Sequence, residues 1–306
     1  MRLLNGAPTT ECLVGLPEGL EPVNDEHELW FFINGVATGN RLTDVRKNWL
    51  QSNLDLLART FQREIVGIHN TTYGFLFDLL ECLIQRDLDY KSRDIRQGRA
   101  QIRAALAAPA TKKLVLILHS QGGIEGSSIL DWLLADMSHE VIAKLEIFTF
   151  GNAARHFNNP LVSKPSSPLV DESKGGRGER VIKHIEHYAN TEDFVANFGV
   201  LNFTSPQAQP FADGNAFFGS VFTREGPGHL LNMHYLDKMF TMVNGRVNDD
   251  GNPFMNSLIP SRKSRGEAEK PGQQKMIKDV SRLWQYRNGL KPVDEIFVPP
   301  VRPTTP

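Results

Sequence analysis

Short runs of β-branched and aromatic residues alternate along this chain with longer stretches whose apolar residues recur at helical spacing. That alternation constrains the fold more than any other feature. LWFFING (Leu29–Gly35), EIVGIHN (Glu64–Asn70), KLVLILHS (Lys113–Ser120), KLEIFTFG (Lys144–Gly151) and VIKHIEHYAN (Val181–Asn190) read as strands, with FFGSVFTRE (Phe217–Glu225) a sixth. RLTDVRKNWLQSNLDLLARTF, TYGFLFDLLECLIQRDLDY, DIRQGRAQIRAALAA and IEGSSILDWLLADMSHEVIA read as amphipathic helices between them. Strand and helix in turn predict an α/β fold with a mostly parallel sheet. Several strands are apolar throughout, as expected where helices cover both faces.

A single domain is expected for the 306 residues, with its core at about 29–243. Segments 163–180 and 261–275 are rich in Pro, Gly, Ser and charge and read as flexible surface insertions; 296–306 reads as an extended, proline-rich tail. The 34 basic and 35 acidic residues nearly cancel, so neither nucleic acid nor an anionic membrane is an expected partner. Cys12 and Cys82 make neither a disulfide framework nor a metal cluster. The first residues lack the apolar core of a signal peptide, and no apolar run is long enough for a transmembrane segment. The expectation is a soluble, cytoplasmic setting. Oligomeric state is not legible in these features.

The most informative stretch is LVLILHSQGGIEG, Leu114 to Gly126. It approaches the G-x-S-x-G elbow, in which a serine sits on a sharp turn between strand and helix, but Leu118 stands where the first glycine belongs. Ser120 is the candidate nucleophile; the alternative is a serine that caps the following helix. The glycines after it let that helix start close to the strand, and the amide of Gln121 becomes a candidate oxyanion donor at a positive helix terminus. A serine nucleophile needs a histidine to take its proton and a carboxylate to hold that histidine. Asp193 follows the fifth strand and is preferred over adjacent Glu192, although the same TED segment could simply start a helix.

Nine histidines compete for the role of base. His27, His139 and His156 precede or fall outside the expected place, and His69, His184 and His187 lie within or at the end of strands. His119 is expected to point away from Ser120 and to pack. His229, after a Gly-Pro-Gly loop and before the helical segment LLNMHYLDKMF, is the preferred base, with His234 as the alternative. A second oxyanion donor is sought after the first strand, at Gly35 or Val36. Asn70, Thr71 and Thr72 either line the same mouth or cap the next helix.

Three stretches, HSQGG, IFTFGNAARHF and HYANTEDFV, carry a resemblance to the α/β-hydrolase superfamily, and within it to lipase-like serine hydrolases of the class 3 type. The resemblance implies an α/β-hydrolase fold and cleavage of a small-molecule acyl ester through an acyl-enzyme. It implies no metal and no organic cofactor. Without a secretion signal or disulfides, an intracellular esterase, thioesterase or phospholipase-like enzyme fits better than a digestive lipase. Acyl transfer by the same residues, or a silent hydrolase-fold binding protein, are the alternatives. Leu118 departs from the pattern and requires a small residue or a shifted helix opposite it. Val200–Phe222, rich in Phe and Gly, is read as acyl pocket, lid or plain core.

Overall fold

The structure, a computed structural model, describes residues 13–17, 19, 22–23, 25–35, 44–68, 93–162, 179–205, 216–259 and 274–293, with backbone alone at 44–48 and 93–95. Seven strands form one sheet: β1 (Leu13–Gly15), β2 (Glu28–Ile33), β3 (Ile65–Ile68), β4 (Lys113–His119), β5 (Leu145–Phe150), β6 (His184–Glu192) and β7 (Ser220–Pro227). Their order is β1-β3-β2-β4-β5-β6-β7, and every pair is parallel except β1 with β3. This is an α/β fold with a mostly parallel sheet.

The six strands expected from the sequence are present with shifted ends. β6 starts at His184, three residues later than its apolar run, and continues to Glu192. β1 had no counterpart in the sequence reading, because three residues are too few to show a period. Among the helices are α1 (Asp44–Phe61), α2 (Arg93–Ala107) and α3 (Gly122–Asp136). The single helix read over Ile124–Ala143 is two: the backbone is extended at Met137 and Ser138, and a short turn follows at His139–Ile142. The helix read at TYGFLFDLLECLIQRDLDY lies outside the described residues, as do most of 163–180 and 261–275 and the whole tail 296–306.

Because side chains alternate along a strand, each strand feeds two cores. Trp30, Phe32, Val115, Ile117, Phe148, Phe150 and Tyr188 face α1 and the C-terminal segments, meeting Leu54, Leu57 and Phe61 on one side and Tyr235, Trp284 and Tyr286 on the other. Phe31, Ile33, Leu114, Leu116, Leu118 and Ile147 face α2 and α3, meeting Ile102, Leu106, Ile129 and Leu133. Each such buried aliphatic side chain stabilises the fold by about 1.5–3 kcal/mol relative to exposure. Helices on both faces explain why β4 and β5 are almost uninterrupted apolar runs.

The amino ends of the strands carry buried charge on the first face. Glu28 accepts from Arg63 Nε (2.6 Å) and from Lys113 Nζ (3.2 Å). Glu146 takes Arg282 Nη2 (2.8 Å) and the Tyr286 hydroxyl (2.7 Å). Glu186 accepts from the backbone N–H of Arg282 (2.6 Å) and Leu283 (3.1 Å) and from the hydroxyl of Tyr188 (2.5 Å). These bonds fasten Ser281–Tyr286 across the foot of the sheet. Burial pushes the Glu186 carboxyl up to about 7, and the nearby Glu146 charge adds to it; its hydrogen bonds oppose the shift without cancelling it.

The folded value lies above the ordinary 4.5, so the protonated carboxyl favours the folded state. That contribution is complete below the ordinary value and is lost as pH rises through about 7. Urea unfolding between pH 5 and 8 is expected to show this loss, on the order of 2 kcal/mol. The Glu186→Gln variant should lack that part of the slope. Parallel curves for the two proteins would contradict it.

Candidate active site

Ser120 directly follows β4 and has φ +60°, the left-handed region that costs a non-glycine residue about 1–2 kcal/mol. Its neighbours hold it there. The Ser120 N–H donates to the Phe150 carbonyl (3.0 Å), and its own carbonyl accepts from Gly123 (3.0 Å) and Ala153 (3.2 Å). The turn lifts Oγ to 2.8 Å from His229 Nε2, and His229 Nδ1 lies 2.8 Å from Asp193 Oδ2. A carboxylate only accepts, so the ring proton sits on Nδ1, and Nε2 is left to take a proton from the serine hydroxyl. The three residues come from the carboxyl ends of β4 and β6 and from the loop after β7. β2 has β3 on one side and β4 on the other, which makes the β2–β4 gap the switch point where α/β sheets place their ligands.

Asp193 is almost fully buried and all its acceptor positions are used. Oδ1 accepts from the N–H of Val195 (2.8 Å) and Ala196 (3.3 Å), capping the helix Phe194–Phe198. Oδ2 accepts from His229 and from the Tyr235 hydroxyl (2.6 Å). Burial pushes this carboxyl up, but the bond and charge of His229, then Tyr235 and the Ala196 N–H, outweigh it and hold it below the usual carboxylate range. Asp193 thus starts the helix Phe194–Phe198 and meets His229 with the same carboxylate. Glu192 is exposed at the end of β6.

His234 sits elsewhere. Its Nδ1 accepts from the Leu230 N–H (3.0 Å), and its ring lies under Gly228, where it supports the Gly-Pro-Gly loop. The segment read as an amphipathic α-helix is instead π-helical over Leu231–Leu236, continuing into Asp237–Met239. His187 is buried between Thr149 Oγ1 (2.8 Å) and the Phe218 carbonyl (3.0 Å).

His119 packs, as expected, but it packs against the site itself. Its ring stacks on His229, with centroids 4.9 Å apart and planes at 28°. Burial, then the neighbouring His229, lowers its pKa to about 3, so it is neutral. Nε2 lies 2.8 Å from the His229 carbonyl, which can only accept, so the proton is on Nε2.

Of the candidate oxyanion donors, Gly35 and Gln121 border one space. A Cβ on Gly35 would lie 2.5 Å from Ser120 Cβ, 2.8 Å from Oγ and 3.2 Å from the Gln121 amide nitrogen, so only glycine lets the end of β2 pass. The Gly35 N–H donates to Asn34 Oδ1 (2.9 Å), which also lies 3.0 Å from His119 Nδ1, while Asn34 Nδ2 is buried with no partner. A neutral His119 protonated on Nε2 offers only a lone pair at Nδ1. Val36, Asn70, Thr71 and Thr72 lie outside the described residues.

Tyr235, Asn190 and Gly151 were missed in the sequence. Asn190 is buried; its Nδ2 donates to the Gly228 carbonyl (2.8 Å) and its Oδ1 accepts from Arg224 Nε (3.0 Å), which ties the histidine loop to β6 and β7. Gly151 has φ +52°, and a Cβ there would lie 2.7 Å from Asp193 Oδ2 and 2.9 Å from His229 Nδ1. The one available signal was the glycine closing IFTFG after a strand. Among the described residues no group of three or more His, Cys, Asp or Glu is arranged to hold a metal ion, and no helix is long and apolar enough to cross a membrane.

Leu118 is fully buried, and α3 makes room for it at Gly126, where a Cβ would overlap the nearer leucine methyl and lie 2.9 Å from the other. The bulk missing from the helix matches the bulk added to the strand. Gly126→Ala should cost about 1–3 kcal/mol by overpacking, and Leu118→Ala about 2–5 kcal/mol by leaving a cavity. The double variant should be less destabilised than the sum by about 1 kcal/mol or more, measured by urea unfolding. Strict additivity would show that the two side chains do not share this space.

No protein-family model matches the chain, and no curated protein is similar to it in sequence.

Proposed function

We propose that the protein is a serine hydrolase on an α/β-hydrolase fold, cleaving a carboxylic ester through an acyl-enzyme. The observation that carries this reading is the left-handed Ser120 with Oγ 2.8 Å from His229 Nε2, whose Nδ1 lies 2.8 Å from buried Asp193. The chain order Ser, Asp, His is that of α/β hydrolases. His229 takes the hydroxyl proton as Ser120 Oγ attacks the ester carbonyl, and Asp193 stabilises the imidazolium. The tetrahedral oxyanion lies against the amide of Gln121 at the α3 terminus, with the end of β2 as the source of a second donor. Each well-aimed donor lowers the barrier by about 3 kcal/mol. His229 then returns the proton to the leaving alcohol, and water repeats the sequence on the acyl-enzyme.

Apolar surface flanks these groups and suits the acyl portion of an ester. Phe194 and Phe198 stack at 6.1 Å beside Asp193, and Phe194 and Met233, just beyond His229, are 73% and 58% exposed.

A fluorophosphonate probe is expected to label Ser120 and to leave the Ser120→Ala protein unlabelled. Turnover of p-nitrophenyl esters should vanish in His229→Ala, fall about 10⁴-fold in Asp193→Asn, and survive in His234→Ala. No adduct on Ser120 across a range of probe sizes would overturn the enzyme reading and leave a binding protein. Adduct formation with faster transfer to added alcohols than to water would assign acyl transfer.

A further inference from the structure

Asp193 Oδ2 is shared between two donors, and only one of them is the histidine. Tyr235, buried within the π-helical turn Leu231–Leu236, places its hydroxyl 2.6 Å from this oxygen. The same hydroxyl accepts the Asn190 N–H at 3.2 Å, which leaves its own proton directed at the carboxylate. His229 and Tyr235 are six positions apart, and both converge on one atom. A π-turn is wider than an α-turn and shifts the side chains that follow it around the axis.

We propose that Tyr235 is a positioning residue that sets the basicity of His229 by competing with it for Asp193 Oδ2. The proposal rests on the Ser–His–Asp reading of the site. A hydrogen bond from a phenol draws charge off the carboxylate, so Asp193 stabilises the imidazolium less than a carboxylate bonded to histidine alone. The shared bond also restrains Oδ2 at its position 2.8 Å from His229 Nδ1. Other charged or titratable groups face this pair from the packed elements. His119 of β4 lies on the imidazole face, and Arg224 of β7 acts on Tyr235 through space. Both are unchanged by altering the phenol.

Two variants test the bond in opposite directions. In Tyr235→Phe the donor is gone. The acid limb of kcat/KM against pH should move up by about 0.5–1 unit, and kcat should fall about three- to tenfold. In a protein carrying 3,5-difluorotyrosine, Tyr235→3,5-difluorotyrosine, the phenol is a stronger donor of nearly unchanged shape, and the limb should move down. The midpoint of the His229 ring titration, followed by NMR without substrate, should move in the same two directions. That measurement keeps the outcome distinct from failure of the hydrolase reading, because it requires no ester turnover. If Tyr235→Phe fails to fold, the fluorinated protein alone decides. Limbs and ring titrations that coincide with wild type, or that move the same way in both variants, would overturn the proposal.

Discussion

The left-handed backbone at Ser120 is the constraint on which the rest of the site depends. A serine in that conformation relaxes if its peptide groups can rotate, so the surroundings must prevent rotation. They do so with three backbone hydrogen bonds, to Phe150 at the end of β5, to Gly123 in α3 and to Ala153 in the following loop. The pairing of His119 with Phe150 in the β4–β5 register brings the first of these into line. Slipping that register by one residue would remove the bond and turn every side chain of β4 to the opposite face. The stability of the sheet and the placement of the buried serine hydroxyl against His229 are therefore the same requirement. The glycines nearby follow from it: Gly35 passes the serine side chain, and Gly126 accepts Leu118.

What was legible in the sequence was what repeats or what sits next to its own signal. The strands β2 to β7 were legible as short runs holding β-branched and aromatic residues between turn residues, and β4 and β5 most plainly, because burial on both faces makes them apolar almost throughout. Ser120 was legible because a strand, a serine and glycines are contiguous, and Asp193 and His229 because each follows its own strand. Residues whose role exists only through the fold were not legible. Tyr235 reads as one more aromatic on a helical face until β6 and the π-turn place it against Asp193. The width of that turn has no signature in LNMHYL. Leu118 looked like a defect because its partner, Gly126, is eight residues on and faces it only after the helix has formed. That His119 packs on His229 and bonds its carbonyl was not legible for a related reason: the two residues are 110 positions apart and meet only in the fold.

Polar groups on the first face of the sheet fall into two sets, separated by aromatic and aliphatic core. At the amino ends Glu28, Glu146 and Glu186 are paired with Arg63, Lys113, Arg282 and the tyrosine hydroxyls. At the carboxyl ends His119, Asn190, Asp193 and Tyr235 form the hydrogen-bonded surroundings of His229. Buried polar groups must find partners inside the protein. The foot of the sheet meets that demand with ion pairs that fasten the C-terminal segment. The top meets it with neutral donors, one arginine and one carboxylate, which leaves a single histidine nitrogen directed at the Ser120 hydroxyl.

Alternation along β4 places Lys113, Val115, Ile117 and His119 on one face, so Ser120 in a continuing strand would face the other. The left-handed turn breaks that alternation at the last possible residue. It swings Oγ back toward the side where His119 already lies, and two adjacent side chains meet one imidazole from two directions. His119 covers the ring face and donates to the backbone carbonyl of His229, while Ser120 reaches the ring edge at Nε2. Each contact restricts a different freedom: stacking limits tilt of the ring, and the bond to the carbonyl holds the loop that carries it. With Asp193 at Nδ1, rotation about the ring axis is also fixed. His229, two residues beyond the end of β7, is thus held at its face, its edge and its backbone, and one of those contacts comes through the same turn that places the Ser120 hydroxyl.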